Sequence, residues 1–211
     1  MTAQAAIPVS AVHRAAAPED VARGDFYALL SRLIHSAPDG ALLASLAAAE
    51  PIPADGDPAL AKAWQGLVHA SSAMDGDAAR EEFGALFEGV GKSEVSCYAG
   101  FYGGAPAVDH PRVRIQADLA ALGLARPEEI AEPEDHFATL LDAMRILAAG
   151  GAGRSPAPLA EQRRFFQANV EPGLAKFFAA VGRSPRANYY RHVAAVGAAF
   201  TALETESFQL D

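Results

Sequence analysis

Cysteine is nearly absent from this chain. Cys97 is the single cysteine among 211 residues, so one chain can form no internal disulfide and no cysteine-based zinc or iron–sulfur site. The six histidines are far apart, and no two have the H-x-x-x-H spacing that places two ligands on one helix face. The sequence therefore predicts neither a metal site nor a bound cofactor, and its cysteine usage is typical of a reducing cytoplasm.

Long apolar runs and positive charge are scarce as well. Charged residues, Gly or Pro interrupt every Ala-rich run before it reaches the roughly 20 apolar residues of a membrane-spanning helix. We therefore expect no stable membrane insertion. The net charge of −9 argues against nucleic-acid binding, because phosphate contacts need a basic face. Such acidity suits a basic partner, but on charge alone solubility is the preferred explanation.

The composition favours helices over strands. β-Branched residues are few, whereas Ala and Leu are abundant. This predicts an all-α fold with about eight or nine helices in a single domain. Residues 1–18 lack a continuous apolar stretch after a basic start and are not typical of a secretory signal. We expect these residues to form a disordered tail and residues 19–211 to form the helical domain.

Apolar residues recur at helical spacing in six places, which predicts six helices with one buried face each. We expect Asp77 to cap the third of these helices, Pro133 to open the fourth and Ser184 to cap the last. Residues 150–158 are rich in Gly and Pro and should form a loop between two groups of helices. The predicted stripes are Phe26, Leu29, Leu30, Leu33 and Ile34; Leu60, Ala63, Trp64, Leu67 and Val68; Phe83, Leu86 and Phe87; Phe137, Leu140, Leu141 and Met144; Leu174, Phe177, Phe178 and Val181; and Tyr189, Val193, Val196, Phe200 and Leu203.

The segment Glu-Pro-Glu-Asp-His at residues 132–136 groups carboxylates and an imidazole at a predicted helix start. Carboxylates in a first turn gain about 0.3 to 1 kcal/mol each from the helix dipole, so a structural role accounts for them. The same dipole offers nothing to His136. Asp135 and His136 are adjacent and point about 100° apart on a helix, which argues against a catalytic Asp-His pair. The residues alone leave a structural and a functional interpretation open.

Two enzyme interpretations are weaker. Residues 89–93, Gly-Val-Gly-Lys-Ser, resemble the end of a phosphate-binding P-loop, but Leu86 stands where the first Gly is needed. The preceding segment is predicted to be an amphipathic helix and not the strand that a P-loop requires. A nucleotide-dependent enzyme is thus a disfavoured alternative. Cys97 is a candidate nucleophile with a distant histidine, yet a lone cysteine in a helical protein is more often a small buried apolar residue.

Three blocks carry a family resemblance. Residues 82–89 resemble an aromatic-x-x-Leu-Phe-x-Gly segment, residues 97–102 a Pro-Tyr-x-Ser-x-Tyr segment, and residues 132–136 an E-P-x-D-H signature. No single block is specific, but their order and spacing together resemble the TorD/DmsD/NarJ family of redox-enzyme maturation chaperones. The resemblance extends roughly from Val21 to Phe200.

The chain departs from the family pattern at four positions. Cys97 stands where the family usually has Pro, and Gly100 where it usually has Ser, so a hydroxyl donor is missing. Asn169 and Gly173 stand where a similar family segment has His and Trp. These departures indicate a divergent subgroup.

The resemblance implies a cytoplasmic chaperone without catalytic activity. Such a protein binds the twin-arginine signal peptide and the apo catalytic subunit of a molybdopterin oxidoreductase, such as a formate dehydrogenase or a DMSO/TMAO-type reductase, during cofactor insertion and before export. An assembly subunit of a respiratory nitrate reductase-like complex is the alternative. The sequence leaves the oligomeric state open: a monomer and a domain-swapped homodimer with residues 150–158 as hinge are both compatible with it.

A receptor for this peptide needs carboxylates beside an apolar groove, because the peptide joins two arginines to an apolar helix-forming segment. The remaining acidic side chains, Glu81, Glu82, Glu88 and Glu94, are expected to form a solvated face that at best steers a basic peptide. The residues expected to contact the peptide are Glu132, Pro133, Glu134, Asp135 and His136 on the polar side, and Phe83, Leu86, Phe87, Tyr98, Phe101 and Tyr102 on the apolar side.

Overall fold

The computed structural model describes residues 15–53, 56–89, 93–103, 111–125, 133–151 and 153–210. Over these ranges the chain forms nine α-helical segments and no named strand, which confirms the predicted all-α fold. The expected tail up to residue 14 lies outside the described residues. The helices are α1 (Pro18–His35), α2 (Gly40–Ala47), α3 (Pro58–Ala73), α4 (Gly76–Phe87), α5 (Pro111–Ala121), α6 (Phe137–Ala149), α7 (Leu159–Phe165), α8 (Glu171–Arg183) and α9 (Tyr190–Leu210).

Two short elements complete the described chain. A 3₁₀ turn spans Ala99–Phe101, and a π turn, Phe166–Val170, joins α7 directly to α8. If α7, the π turn and α8 are counted as one continuous helix, the described residues form eight helices, in line with the expected eight or nine. None of the helices in the described ranges combines the length and hydrophobicity that a transmembrane span requires.

Helix α6 lies at the centre of the core. Its predicted stripe is confirmed, since Phe137, Leu140, Leu141 and Met144 have no exposed surface. Helix α1 packs along α6, while α9 packs between α3 and α8. The stripes of α8 and α9 are buried as well, apart from partly exposed Leu203. Helical periodicity therefore located the buried faces of α6, α8 and α9 correctly.

Two glycines permit the closest helix contacts. A Cβ atom added to Gly24 of α1 would lie 2.7 Å from the Ala149 Cβ of α6. A Cβ added to Gly197 of α9 would lie 2.2 Å from the Cζ of Phe178 on α8. Neither distance is compatible with a real side chain, so hydrogen at these positions sets how closely each helix pair packs.

Glu82 of α4 closes the start of α9. Its carboxylate accepts hydrogen bonds from the backbone N–H groups of Asn188 at 2.8 Å, Tyr189 at 3.0 Å and Tyr190 at 2.8 Å. The expectation that Glu82 belongs to a solvated face is therefore wrong, because the first N–H groups of a helix have no partner within it and this carboxylate supplies one.

Ser184 ends α8, and it does not cap the last helix as expected. Its hydroxyl accepts a hydrogen bond from the backbone N–H of Arg186 and bonds to the carboxylate of Glu94. Glu94 also forms an ion pair of 3.0 Å with Arg186. Glu94 thus fixes the α8–α9 connection while it remains exposed to solvent, as expected.

The start of α4 was misplaced by two residues. Asp75, and not Asp77, is its N-cap, because the Asp75 carboxylate accepts from the N–H groups of Asp77 and Ala78. Asp77 occupies the first turn instead and pairs with Arg80 at 2.7 Å. Both aspartates satisfy the local preference for acid at a helix start, so sequence alone does not distinguish them.

A buried carboxylate ties α9 to α1. Glu204 is 1% exposed and accepts two hydrogen bonds of 2.8 Å from the Arg23 guanidinium, a bidentate arrangement. The Tyr27 hydroxyl donates a further hydrogen bond to the same carboxylate. Burial and the Glu204 charge raise the pKa of Tyr27 well above its usual value. The buried charge is therefore fully compensated, as interior ions require.

The loop after α6 is a tight turn. Gly150 has a φ of 76°, and a Cβ there would lie 2.4 Å from the Arg154 carbonyl oxygen. Gly151 and Arg154 exchange backbone hydrogen bonds of 3.0 and 2.8 Å. Ala157 N–H then bonds to the Leu147 carbonyl at 2.8 Å, returning the chain to the end of α6. Its role as a hinge for domain swapping stays a prediction.

Replacing Gly197 by Ala should destabilise the fold. The new methyl would overlap the Phe178 ring, and overpacking of this kind costs about 1–3 kcal/mol. Gly182→Ala is the matched control, because a Cβ on Gly182 of α8 meets nothing within 4 Å; it should be neutral or stabilising by up to about 1 kcal/mol. Urea unfolding of both variants measures the difference, and equal stabilities would contradict the packing argument.

Glu82→Ala should also lower the free energy of unfolding, by about 1–3 kcal/mol, since three backbone donors lose their acceptor. The neighbouring exposed Glu81→Ala should change it by less than about 0.5 kcal/mol. Thermal unfolding of the two variants side by side tests this, and amide hydrogen exchange at Tyr189 and Tyr190 locates the effect. A Glu82 variant as stable as the Glu81 variant would refute the trans-helix cap.

Candidate functional site

Two of the three sequence blocks meet through their backbones. Ala99 N–H donates to the Asp135 carbonyl at 2.8 Å, and Phe137 N–H donates to the Cys97 carbonyl at 2.9 Å. Tyr98 and His136 face each other between these bonds as an isolated antiparallel bridge. Segments that are more than 30 residues apart in sequence therefore form one surface unit.

His136 is the N-cap of α6. The helix begins at Phe137, so the expectation that Pro133 opens it is wrong; residues 133–136 form a turn in which His136 N–H donates to the Pro133 carbonyl at 3.1 Å. His136 Nδ1 accepts a hydrogen bond of 3.2 Å from Ala138 N–H. Nδ1 therefore carries no proton, and the imidazole does gain from the helix start by accepting one of its free N–H groups.

Glu134 is paired within the chain. The Arg112 Nε donates to Glu134 Oε2 at 2.9 Å, and the Gln116 side chain donates a second hydrogen bond. The Glu134 side chain is 11% exposed and that of Arg112 43% exposed. Burial alone would favour the neutral acid, but the bonds from Gln116, from the Glu134 backbone and from Arg112 outweigh it and lower the pKa of Glu134 from 4.5 to about 2.

Asp135 differs from its neighbour. It is 7% exposed, and its carboxylate accepts no hydrogen bond from the residues that the structure describes. It lies against the 3₁₀ turn, since a Cβ on Gly100 would be 3.1 Å from Asp135 Oδ2. Burying a carboxylate is costly unless a cationic or hydrogen-bonding group compensates its charge.

Aromatic side chains border these carboxylates. Tyr98 is 39% exposed and Phe101 is 64% exposed, whereas Tyr102 is half-buried. The Tyr98 ring packs edge-on against His136, with centroids 5.2 Å apart. The Tyr102 hydroxyl donates to the Ser96 carbonyl at 2.8 Å, and burial raises its pKa to about 12. Tyr98 and Phe101 thus present apolar surface to solvent beside Asp135.

The structure does not bring every expected residue to this surface. Leu86 is fully buried and Phe83 is 6% exposed, so these two core side chains have almost no accessible area to offer a peptide. Phe87 is partly buried among the rings of Phe83, Phe177 and Tyr190. Pro133 is half-buried in the turn.

Glu132 lies outside the described residues. Residues 90–92 of the P-loop-like segment do too, but the segment before them is helix α4, as expected, and not the strand that a P-loop needs. Among the described residues, no group of three or more His, Cys, Asp or Glu is arranged to hold a metal ion.

Cys97 is buried, and burial raises the pKa of its thiol to about 12. At neutral pH it is therefore a thiol and not the thiolate that nucleophilic attack requires. Its backbone carbonyl, which accepts from Phe137, is the part that shapes the site.

Arg112 and Gln116 belong to this site, although the sequence patterns did not predict them. Their i, i+4 spacing places both on one face of α5, but Glu134 lies 22 residues beyond Arg112. The same helix is fastened to the π turn, since Arg114 donates to the Ala168 carbonyl at 2.8 Å and the Asn169 amide donates to Asp118 at 2.8 Å. The sequence shows that Arg112 is one of few basic residues in an acidic chain, but it does not show which carboxylate Arg112 pairs with.

A model of the nitrate reductase delta subunit family matches residues 54–179, which is more than half of the chain and includes all three blocks. The chain belongs to this family. It is a family of NarJ/TorD-type chaperones for molybdoenzyme maturation, so the predicted resemblance is confirmed. A comparison with curated proteins found no match.

The positions at which this member of the delta subunit family departs from the expected pattern lie around the site. Gly173 faces the start of α6, since a Cβ there would be 3.0 Å from Phe137 Cζ and 3.4 Å from Tyr102 Cβ. Asn169 is buried in the π turn and bonded to Asp118. The departures are therefore accommodated by local packing and hydrogen bonding.

The Glu134 pair should make stability depend on pH. Because the folded-state pKa is lowered, ionised Glu134 stabilises the fold fully above its ordinary pKa of 4.5, and this contribution is lost as the pH falls toward about 2. The difference in unfolding free energy between wild type and Glu134→Gln should be largest near about pH 6 and shrink below about pH 4.5. Denaturant unfolding across this range, with Glu81→Gln as control, measures it. A difference that does not vary with pH would contradict the assignment.

Proposed function

We propose that this protein is a system-specific chaperone that binds the twin-arginine signal peptide and the apo form of a molybdopterin oxidoreductase during cofactor insertion and before export. Its membership of a molybdoenzyme maturation family supports the general role. The observation that carries the peptide-binding part is the nearly buried Asp135 carboxylate, without a donor among the described residues, beside exposed Tyr98 and Phe101.

The carboxylate and the aromatic side chains of this surface both suit such a peptide. A guanidinium group donates in a planar fork that matches a carboxylate, so Asp135 suits one arginine of the pair. Tyr98 and Phe101 offer aromatic faces that accept either the apolar segment or a stacked guanidinium. The net charge of −9 attracts a basic peptide over longer distances.

The proposed contact surface is narrower than the sequence-based expectation. It keeps Glu134, Asp135, His136, Tyr98 and Phe101. His136 acts by holding the start of α6 and the Tyr98 ring in place. Tyr102 holds the 3₁₀ turn in place through the hydrogen bond from its hydroxyl to the Ser96 carbonyl.

An assembly subunit of a respiratory nitrate reductase-like complex is the second candidate, favoured by the description of the matching family as a nitrate reductase delta subunit. A permanent subunit would co-purify with the mature complex at fixed stoichiometry. A chaperone should bind the apo-enzyme and leave once the cofactor is inserted. Pull-down with apo and cofactor-loaded catalytic subunits distinguishes the two.

Removing the exposed aromatics should weaken peptide binding. In Tyr98→Ala/Phe101→Ala, affinity for a cognate twin-arginine signal peptide should fall about tenfold or more, because truncating an aromatic residue that anchors an interface costs about 1 kcal/mol or more. Asp135→Asn should cause a loss of similar size by removing the charge. Val21→Ala, an exposed apolar residue on α1, is the control and should bind like wild type. Fluorescence anisotropy with signal peptides of formate dehydrogenase, DMSO/TMAO-type reductase and nitrate reductase clients measures this.

The histidine needs a separate pair of variants. His136→Asn keeps a capping acceptor at the start of α6 and His136→Ala does not, so comparing them separates loss of the cap from loss of the imidazole. Equal binding by wild type and by the aromatic and Asp135 variants would refute the site assignment. Failure of wild type to bind any of the three peptides would refute the peptide-binding function.

A further inference from the structure

The Glu134 carboxylate already holds a guanidinium. Arg112 of α5 donates to it through Nε at 2.9 Å, and Gln116 adds a hydrogen bond from one helical turn further on. A peptide arginine has the same side chain as Arg112. The position that suits a peptide guanidinium is therefore occupied from within the chain.

Exchanging Arg112 for a peptide arginine at Glu134 replaces one guanidinium–carboxylate pair by another. Breaking the pair without replacement would leave a nearly buried carboxylate uncompensated, which is costly. Replacing Arg112 by another guanidinium preserves the charge pairing and the hydrogen bonds. Arg112 is also the more exposed partner, at 43% against 11% for Glu134, so its side chain gains full hydration when it leaves.

Release of Arg112 does not require α5 to detach. Ile115 and Leu119 of this helix are buried, and Arg114 remains bonded to the Ala168 carbonyl. Asp118 continues to accept from Asn169. A change of side-chain rotamer at Arg112 is sufficient to open the carboxylate.

We propose that Glu134 and Gln116 form a guanidinium subsite, that Arg112 is its internal ligand, and that an arginine of the client peptide replaces Arg112 there. This inference rests on the proposed function. It gives the two arginines of the peptide separate partners: Asp135 takes one directly, and the other displaces Arg112 from Glu134.

The internal ligand has two consequences for binding. It lowers the apparent affinity by the fraction of molecules in which Glu134 is open, which allows a client to be released after maturation. It also selects arginine over lysine, because a lysine ammonium cannot reproduce the planar hydrogen bonding that it displaces.

The test compares peptide affinities of variants at Arg112. The probe is a synthetic peptide with two adjacent arginines followed by an apolar segment, together with a twin-lysine version. Arg112→Ala should bind the twin-arginine peptide about threefold to tenfold more tightly than wild type. Arg112→Lys, which keeps the charge but loses the Nε donor, should gain less. Arg80→Ala removes the same charge from an exposed position on α4 and should change the affinity by less than about twofold.

A spectroscopic measurement reports the exchange itself. In ¹⁵N-labelled protein, the Nε–H signal of Arg112 should shift when unlabelled twin-arginine peptide is added. N-acetylarginine amide at high concentration should also shift it, and N-acetyllysine amide should not. These small probes test the subsite without depending on recognition of a whole peptide.

The outcomes separate the two proposals. If the peptide binds but Arg112→Ala gains nothing, or the Arg112 signal does not move, the internal-ligand proposal is overturned while peptide binding stands. An equal gain in Arg80→Ala would overturn it too, since the effect would then be general electrostatics. If the peptide fails to bind any variant, the proposed function is overturned, and N-acetylarginine amide then supports or overturns the subsite on its own.

Discussion

Two backbone hydrogen bonds hold the site together. Those from Ala99 to Asp135 and from Phe137 to Cys97 join the 3₁₀ turn to the start of the central helix α6. They orient Tyr98 over His136 and place Gly100 beside Asp135. Because α6 is the most buried helix, the surface is anchored directly to the core. These backbone hydrogen bonds fix the positions of the side chains on this surface, which lowers the ordering cost of any contact that they make.

Three acidic side chains in this fold connect helices that are distant in sequence. Glu82 accepts three backbone N–H groups at the start of α9, Glu204 binds Arg23 across α1 and α9, and Glu134 joins Arg112 of α5 to the turn before α6. Each carboxylate is satisfied by donors that are distant in sequence. Asp135 is the contrast, since no described residue donates to its carboxylate, and this difference is the reason for proposing it as the partner of an external cation.

Local patterns predicted what local physics determines. The stripes at Leu140 and Phe177 follow from helical periodicity, and so does the all-α fold. The start of α6 did not follow, because Pro133 and the adjacent acids favour a helix start on their own, whereas pairing with Cys97 and Ala99 holds residues 133–136 as a turn. The Arg112–Glu134 pair could not be predicted from the sequence either. Helical spacing relates only residues within α5, whereas tertiary packing brings the Glu134 carboxylate to Arg112.

Two of the departures from the family pattern, the glycines at 100 and 173, lie where a larger residue would crowd the start of α6. A serine at 100 would bring its Cβ to about 3.1 Å from Asp135 Oδ2, and a large side chain at 173 would overlap the Phe137 ring. Both glycines therefore let the backbone lie close to the start of α6. Without a serine hydroxyl at 100, that position offers the Asp135 carboxylate no side-chain donor. Under the proposed function, the glycine at 100 suits a peptide side chain that brings its own donors to Asp135, and a guanidinium has more N–H donors than any other side chain.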